Sequence, residues 1–261
     1  MQPLRTVSLQ RGIIYGPVRS RRLGVSLGIN LLPTGYKLCS FNCVYCQYGW
    51  TFRPTLRPAS QLKDLPRPKD VSAALEKALE QLSTEGRAVD SISICGNGEP
   101  TLYPELGEVV EMTKRLRDKH LPDAKVAIFS NSSTITSQRV RTAVNLVDLK
   151  IMKLDAGSEK LIRRLNHPAG PVDLSAIVDA LRQLNNVYIQ SMFVQGRLTN
   201  ADPVSVAAWV DKIGEIRPAL VQVYTLDRAP ADSKIHPVSL STLCAIANLT
   251  RWRAGVPAEV Y

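Results

Sequence analysis

Short β-branched runs alternate with amphipathic stretches from residue 68 onwards, which is the pattern of repeated strand–helix units. In the first amphipathic stretch Val71, Leu75 and Leu79 share one apolar stripe at helical spacing. The pattern predicts strands near Val25–Leu32, Ser91–Cys95, Lys125–Ser130, Leu146–Leu154, Val187–Val194 and Leu220–Leu226. It predicts helices near Val71–Leu82, Leu106–Lys119, Ser137–Asn145, Ser158–Leu165, Leu174–Leu184, Val204–Ile216 and Ser239–Arg251.

Several of these strands are apolar almost throughout, as expected for parallel strands covered on both faces. Parallel strands with crossover helices give an α/β fold, and the pattern alone fits both an open sheet and an incomplete barrel. In either architecture the functional residues belong at the carboxyl ends of the strands. We expect residues 1–24 to form a basic segment packed on the core, 25–238 the main domain, and 239–261 a terminal helix and tail. Residues 255–261 fit either a short last strand or a tail.

The composition fits a folded protein rather than a secreted disulfide scaffold. The 261 residues are 44% hydrophobic and 21% charged, which is enough to bury a full core. The five cysteines are few and unevenly placed, so they indicate a site in a reducing compartment. No apolar run reaches the roughly 20 residues that cross a bilayer, and the first residues lack the apolar stretch of a signal peptide. We therefore expect a cytoplasmic protein without membrane contact.

Positive charge is concentrated at the front of the chain. The formal net charge is +10, and residues 1–67 hold ten basic side chains against one acid, Asp64. Such a segment attracts phosphate-bearing partners such as RNA, although a solvated basic loop is an equally simple interpretation. The basic residues are Arg5, Arg11, Arg19, Arg21, Arg22, Lys37, Arg53, Arg57, Lys63 and Arg67.

A group of three cysteines follows the first predicted strand. Cys39, Cys43 and Cys46 have the spacing C-x3-C-x2-C, which lets three thiolates wrap one metal centre. A closed zinc site needs a fourth ligand, which Cys95, Cys244 or a histidine elsewhere would have to supply. Three thiolates instead suit a [4Fe-4S] cluster whose fourth iron stays open for a substrate.

This loop resembles that of the radical S-adenosylmethionine (SAM) enzymes, which have the same spacing and an aromatic residue before the last cysteine. Tyr45 occupies that position. The resemblance implies that SAM chelates the open iron of a [4Fe-4S] cluster through its amine and carboxylate. Reduction of the sulfonium would give a 5′-deoxyadenosyl radical, which removes a hydrogen atom from the substrate. It also places Tyr45 near the adenine of SAM. We accordingly predict a partial (βα)6 barrel with the active site at the carboxyl ends of the strands.

Two further stretches match the family pattern in order and position. Gly96-Asn97-Gly98-Glu99-Pro100 is similar to the family's Gly-Gly-Glu motif, with Asn97 as a departure, and its glycines would let the backbone approach the bound amine. Ser130-Asn131 matches the polar strand end that contacts the carboxylate or ribose of SAM. The resemblance thus assigns both stretches to cofactor binding.

The ends of the later strands supply the remaining candidates. Lys153 and Asp155 are the predicted catalytic pair, with Asp155 also a ligand of the ribose hydroxyls and Lys153 facing a substrate acid or carbonyl. On the same strand, Asp148 and Lys150 are expected to form a buried salt bridge. The other predicted lining residues are Gln190 and Met192 for the cofactor, and Arg19, Arg21, Arg22, Tyr224 and Arg228 for the substrate.

The likeness to one branch of the family extends over most of residues 13–230. The stretches Tyr15–Gly24, Ser26–Asn30, Cys46–Gly49 and Gly96–Thr101 resemble the wyosine-synthase-like branch. Wyosine synthases rebuild a guanine of transfer RNA using pyruvate, and they carry a second cluster on three more cysteines. Only Cys95 and Cys244 remain in this chain. We therefore expect a single-cluster enzyme.

Three functional hypotheses follow from these residues. The first is hydrogen abstraction from an RNA nucleoside, with tRNA or another RNA bound through the basic front segment. The second is radical chemistry on a small phosphorylated or carboxylated metabolite, or activation of a partner protein. The third is a zinc-binding nucleic-acid module without enzymatic activity. For either enzyme, a reducing protein such as flavodoxin or ferredoxin is the expected electron donor.

Overall fold

Each apolar run predicted as a strand is a strand in the computed structural model, which describes residues 6–57 and 64–261. Arg5 and Lys63, two of the predicted basic residues, lie outside the described residues. The strands are β1 (Ile14–Ser20), β2 (Gly24–Ile29), β3 (Ser91–Ile94), β4 (Lys125–Ser130), β5 (Leu149–Lys153), β6 (Val187–Met192), β7 (Val194–Gly196), β8 (Leu220–Tyr224), β9 (Ile235–Pro237) and β10 (Ala258–Val260).

All the predicted helices are present, and local caps explain where several of them begin. The side chains of Ser158, Asp173 and Asp202 each accept a backbone N–H of the following first turn, which satisfies a donor that the helix itself leaves free. The helices are α1 (Pro68–Thr84), α2 (Leu106–His120), α3 (Gln138–Asn145), α4 (Glu159–Asn166), α5 (Leu174–Arg182), α6 (Pro203–Ile216) and α7 (Leu240–Leu249). A π-helical turn, Thr250–Ala254, extends α7.

One eight-stranded sheet organises the molecule, in the order β1-β2-β3-β4-β5-β6-β8-β10. Strands β2, β3, β4, β5, β6 and β8 are parallel in that order, as predicted, and β10 continues the parallel run. The segment 255–261 therefore contains a short last strand. Strand β1 pairs antiparallel with β2, and β7 pairs antiparallel with β9 in a small separate sheet.

The sheet curves into a partial barrel. A flat sheet would separate β2 from β8 by about 24 Å, because neighbouring strands lie about 4.8 Å apart. Nevertheless Arg21, in the turn before β2, lies 3.6 Å from Asp227, just after β8. The guanidinium carbon of Arg22 lies 4.3 Å from the ring centre of Tyr224 at the end of β8. The β1–β2 turn therefore reaches the opposite side of the barrel opening.

The two faces of the sheet have different partners. Side chains such as Ile94, Ile128 and Val223 pack against the helices in the main hydrophobic core. Alternate side chains of the same strands point to the barrel interior, where Leu23, Ala127 and Ile151 form a small separate cluster. Lys153 and Tyr224 place polar groups at the carboxyl ends of β5 and β8, so this end of the barrel is where a site can form.

The structure adds two details to the predicted boundaries. Residues 14–20 of the expected basic segment form an edge strand of the main sheet. The run predicted as Val187–Val194 ends at Met192, and Val194 begins β7 instead. In the described ranges 6–57 and 64–261, the helices are too short or too polar for one of them to cross a membrane.

Candidate active site

The cysteine loop, residues 39–46, lies in the long connection between β2 and α1 and is fixed by backbone hydrogen bonds. Leu38 exchanges bonds with the segment after β3, donating to Asn97 O at 3.0 Å and accepting from Glu99 N at 3.0 Å. Val44 N donates to Leu165 O at 2.9 Å, and Val44 O accepts from Asp232 N at 2.8 Å. Three separate parts of the barrel therefore hold the loop in place.

Two asparagine amides point at the sulfur atoms. Asn131 Nδ2 lies 3.5 Å from Cys39 Sγ, and Asn166 Nδ2 lies 3.3 Å from Cys43 Sγ. Burial, with the neighbouring thiol of Cys46 adding to it, raises the pKa of Cys43 to about 11. Burial likewise raises the pKa of Cys39. A buried thiolate needs a cation or a metal in place of its proton, so this loop is suited to metal ligation.

The spread of the three thiols fits a cluster better than one tetrahedral ion. Zn–S bonds of about 2.3 Å place the sulfurs of one zinc site about 3.8 Å apart. Across residues 6–57 and 64–261, the only three metal-binding side chains with ligand atoms all within 4.8 Å of one another are Glu76, Glu80 and His120. At least one pair of the sulfurs of Cys39, Cys43 and Cys46 is therefore more than 4.8 Å apart, which is wider than one zinc ion requires. A cluster held at three corners matches this donor set.

The glycines after β3 are required for contacts within the protein. A Cβ on Gly98 would lie 1.7 Å from Leu38 O, and a Cβ on Gly96 would lie 2.5 Å from Asn30 Oδ1. Asn97 is fully buried, and its side chain bonds to the backbone of Gln10 and Pro33. The backbone of Asn97 is bonded as well, because its N–H donates to Asn30 Oδ1 at 3.0 Å and its C=O accepts from Leu38 N. Direct contact with a cofactor amine therefore stays a prediction for Gly96, Asn97 and Gly98.

Glu99 is buried at the end of this stretch and is bonded through both carboxylate oxygens. Its Oε2 accepts from Asn131 N at 2.6 Å, and its Oε1 accepts from Thr101 N at 3.1 Å and from Thr101 Oγ1 at 2.5 Å. Burial raises the pKa of Glu99 against these hydrogen bonds. Because Asn131 also bonds to Cys39, one residue links a predicted cluster ligand to the buried carboxylate of the predicted cofactor-binding stretch.

Pro100 and Ser130 support this arrangement from either side. Pro100 begins a single 3-10 turn that Glu99 caps, which directs the chain away from the sheet. Ser130 is buried, and its Oγ accepts from Ser132 N at 3.1 Å. Their contact with SAM stays a prediction.

Asp155 connects the cysteine loop to the barrel interior. Its Oδ2 accepts from Tyr45 OH and from Asn166 Nδ2 at 3.0 Å, and its Oδ1 accepts from Met192 N at 2.9 Å and lies 3.1 Å from Lys153 Nζ. A carboxylate has about four acceptor sites, so those of Asp155 are all occupied. A ribose hydroxyl would have to displace one of these donors, and we therefore regard Asp155 as a positioning residue.

Lys153 extends this network toward β8. Its Nζ donates to Tyr224 OH at 2.8 Å and lies 5.0 Å from the ring centres of Tyr45 and Tyr224. Burial alone would lower its pKa, but Asp155 and Tyr224 together raise the pKa of Lys153 above its ordinary value. Lys153 is thus a buried cation rather than a neutral amine nucleophile.

The structure brings together four of the five predicted substrate residues. Arg22 packs on the ring of Tyr224, and Arg21 and Arg228 both pair with Asp227, at 3.6 and 3.1 Å. Arg19 is exposed on β1 and pairs in register with Val25, so it lies on the edge strand rather than in this group.

The remaining predicted residues have internal partners. Gln190 Nε2 donates to Gln222 Oε1 at 3.0 Å across the interior face, and Met192 is buried beside Asp155. The predicted Asp148–Lys150 salt bridge is wrong. Asp148 instead pairs with Arg117 at 2.8 Å, and Lys150 Nζ donates to the backbone of the preceding turn. Both side chains point to the helix layer, where α2 supplies a better-placed cation.

Asn166 is a site residue that the sequence did not indicate. Its single amide nitrogen reaches Cys43 Sγ, Tyr45 OH and Asp155 Oδ2, at 3.3, 2.8 and 3.0 Å. It is the last residue of α4 and is followed by His167 and Pro168. That context predicts a helix end, and only the burial of this polar side chain marks it as part of the site.

Relatives of this chain have been found in archaea and bacteria. A chain from Methanocaldococcus jannaschii, described as a UPF0026 protein, is 32% identical over 90% of this chain and 70% of its own length. A UPF0026 protein of Helicobacter pylori is 30% identical over 87% of this chain and 70% of its own length.

Solved structures share the fold. A radical SAM methyltransferase from Sphaerobacter thermophilus has a TM-score of 0.64 and 15% identity over 90% of this chain and 65% of its own. TYW1 with a lysine-pyruvate adduct bound has a TM-score of 0.60 and 15% identity over 87% of this chain and 73% of its own. Streptococcus suis SuiB bound to SAM has a TM-score of 0.58 and 16% identity over 89% of this chain and 50% of its own. At these identities the likeness concerns the fold alone, and it leaves the wyosine-like branch a prediction.

The family profile of the Radical SAM superfamily matches residues 35–210, which include the cysteine loop and the strands from β3 to β6. The chain is therefore a member of the radical SAM superfamily, whose cofactors are a [4Fe-4S] cluster and S-adenosylmethionine.

Proposed function

We propose that this protein abstracts a hydrogen atom from a small polar substrate held on the inner face of its barrel. The observation that carries the proposal is the network from Cys43 through Asn166 and Asp155 to Lys153 and Tyr224. It connects the cysteine loop with polar side chains that face the interior. When bound, the reduced cluster and SAM supply a 5′-deoxyadenosyl radical, which is the hydrogen-abstracting species.

The chain's own residues hold and orient these groups. Cys39, Cys43 and Cys46 would ligate three irons, and Glu99 would accept the SAM amine. The buried amides of Asn131 and Asn166 fix Cys39 and Cys43 by N–H···S contacts.

The contacts of the basic front segment support a small substrate more than RNA. Arg21 pairs with Asp227, Arg22 stacks on tyrosines, and the Lys37 amine donates to Gly49 O. These three charges already have contacts within the protein, and the pair between Arg21 and Asp227 lies on the surface. In the described part of the front segment, the RNA hypothesis relies on the exposed Arg11, Arg19, Arg53 and Arg57, since the exposed Arg67 pairs with Asp70. Its test is binding to mixed RNA, which should weaken steeply with salt.

An electron donor such as flavodoxin or ferredoxin remains part of the proposal, because members of this superfamily need one-electron reduction of the cluster. Membership of an enzyme superfamily also disfavours the zinc-module hypothesis.

The test is anaerobic reconstitution with iron and sulfide, followed by reduction and measurement of 5′-deoxyadenosine. We expect Cys43→Ala to abolish SAM cleavage while the far-ultraviolet circular dichroism of the protein is unchanged. Cys244→Ala is the matched control, because this cysteine is exposed on α7. A yield of 5′-deoxyadenosine from Cys43→Ala equal to that of the control would refute the assignment of the loop.

A further inference from the structure

Arg22 is partly buried at the barrel opening, beside the end of β8. It lies in the turn between β1 and β2, and this turn reaches the carboxyl end of β8. Its guanidinium carbon is 4.3 Å from the ring centre of Tyr224 and 5.0 Å from that of Tyr261. Two aromatic faces therefore hold the cation in a fixed orientation.

One edge of this guanidinium has no hydrogen-bond partner among the described residues. The atoms Nε and Nη2 are buried and unpaired there, and Arg22 forms no ion pair with a carboxylate of the described part of the chain. Buried donors are almost always bonded in folded proteins, so an unpaired pair points to a ligand. Nε–H and Nη2–H are parallel donors, and this edge is the one that binds a carboxylate or phosphate in bidentate fashion.

The charges around this edge also favour an anion. Lys153 contacts the same Tyr224 ring that Arg22 covers, so two cations lie on one side chain. The nearby acids are already in use, because Asp155 is fully hydrogen-bonded and Asp227 pairs with other arginines. Lys153 is paired with Asp155, so the charge that a negatively charged group would meet here without a carboxylate partner among the described residues is that of Arg22.

We propose that Arg22 binds an oxyanion of the substrate, a carboxylate or a phosphate ester, through its Nε/Nη2 edge beside Tyr224. This inference rests on the proposed function, since it names the substrate class of the same barrel interior. Because Nε and Nη2 are buried, binding of the oxyanion requires a local movement of the side chains that cover this edge. The Lys153–Asp155 pair then lies between the anchored oxyanion and the cysteine loop.

The alternative is a purely structural arginine that is stabilised by its two tyrosines. A structural arginine would tolerate loss of its charge without any effect on ligand binding. A binding arginine requires both the charge and the planar fork, so lysine would replace it poorly. The two interpretations therefore differ in what Arg22→Lys and Arg22→Gln do to anion affinity.

The test is isothermal titration calorimetry of the reconstituted protein with sodium acetate and with inorganic phosphate, and with acetamide as the uncharged analogue. We expect saturable binding of acetate or phosphate and none of acetamide, with affinity at least about tenfold lower in Arg22→Gln and in Arg22→Lys. The preferred anion identifies the substrate as a carboxylate or a phosphate ester. Arg182→Gln, on the exposed surface of α5, is the matched control.

Equal affinity in the wild type and Arg22→Gln, or no binding of either anion by the wild type, would overturn the inference. Melting temperature shows whether the Arg22 variants are folded, and SAM binding by each variant shows whether the cofactor site is intact. If Arg22→Gln does not fold, the anion affinity of Arg22→Lys relative to the wild type decides between a binding and a structural arginine. Formation of 5′-deoxyadenosine from SAM tests the proposed function separately, because it needs no substrate anion. A protein that cleaves SAM but binds no oxyanion would keep the proposed function and lose this inference.

Discussion

Replacement of Asn166 by alanine tests the network that connects the cysteine loop with the barrel interior. The change removes one amide that contacts Cys43 Sγ, Tyr45 OH and Asp155 Oδ2. It leaves Asp155 with its bonds from Tyr45, Met192 and the Lys153 amine. The expected loss is therefore that of the amide contacts alone, without an unpaired buried charge.

These contacts allow the size of two effects to be estimated. The amide nitrogen has two protons for its three contacts, so at about 1 kcal/mol for each hydrogen bond Asn166→Ala should lower the free energy of unfolding by about 2 kcal/mol. For a chain of this size the melting temperature should fall by about 4–8 °C. The N–H···S contact favours the more negative, reduced cluster. Its loss should lower the midpoint potential by roughly 40 mV, if the contact contributes about 1 kcal/mol to this one-electron couple.

The assays are thermal unfolding and an anaerobic redox titration of the reconstituted cluster. Asn145→Ala is the matched control, because Asn145 is also the last residue of its helix but accepts only a backbone N–H from Asn185, at 3.2 Å. We expect the control to keep the wild-type potential. Equal midpoint potentials in the two variants would refute the role of Asn166 at the sulfur, and equal melting temperatures would refute its role in the network.

Two further predictions concern the framework of the site. Asp148→Asn should lower the melting temperature by several degrees near neutral pH, because the Arg117 guanidinium keeps its pair with Asp118 but loses the carboxylate that faces its Nη1. Burial would raise the pKa of Asp148, but its hydrogen bonds and the Arg117 cation together lower it. The ionised carboxylate therefore stabilises the folded protein above about pH 4, and the melting-temperature difference between wild type and Asp148→Asn should shrink at lower pH. A difference that is the same at all pH values would contradict this. Gly98→Ala places a Cβ 1.7 Å from Leu38 O and should reduce iron content, whereas Gly35→Ala meets no atom within 4 Å and should not; equal iron content in both would contradict the close approach.

The parallel strands and their helices could be predicted because each has a characteristic spacing of apolar residues in the sequence. A strand buried on both faces needs a continuous run of apolar residues, and a surface helix needs apolar residues every three to four positions. Strand β1 escaped prediction because a register shift between Tyr15 and Val18 interrupts its alternation, and because most of its residues are not buried. The short β7 and β9 have three residues each, which is too few for a period to appear.

The site was predictable only where chemistry imposes a spacing. The three cysteines must lie close together on one loop, and the Gly-rich stretch must pass close to that loop, so both leave a pattern in the sequence. Asn166 reaches the cysteine loop only through the fold, so its distance from the cysteines along the sequence follows no recognisable spacing. Arg22 and Tyr224 were predicted one by one, but their contact depends on the curvature of the whole sheet. The predicted partner of Asp148 was wrong because this side chain faces Arg117 on α2. The pattern of a strand does not show which helix packs against it.

The most direct test of the central claim is the metal content of the protein purified without oxygen, combined with Mössbauer spectroscopy. We predict about four irons and four sulfides per chain, with the spectrum of a [4Fe-4S] cluster in which one iron responds to added SAM. One zinc ion per chain without sulfide would contradict the account.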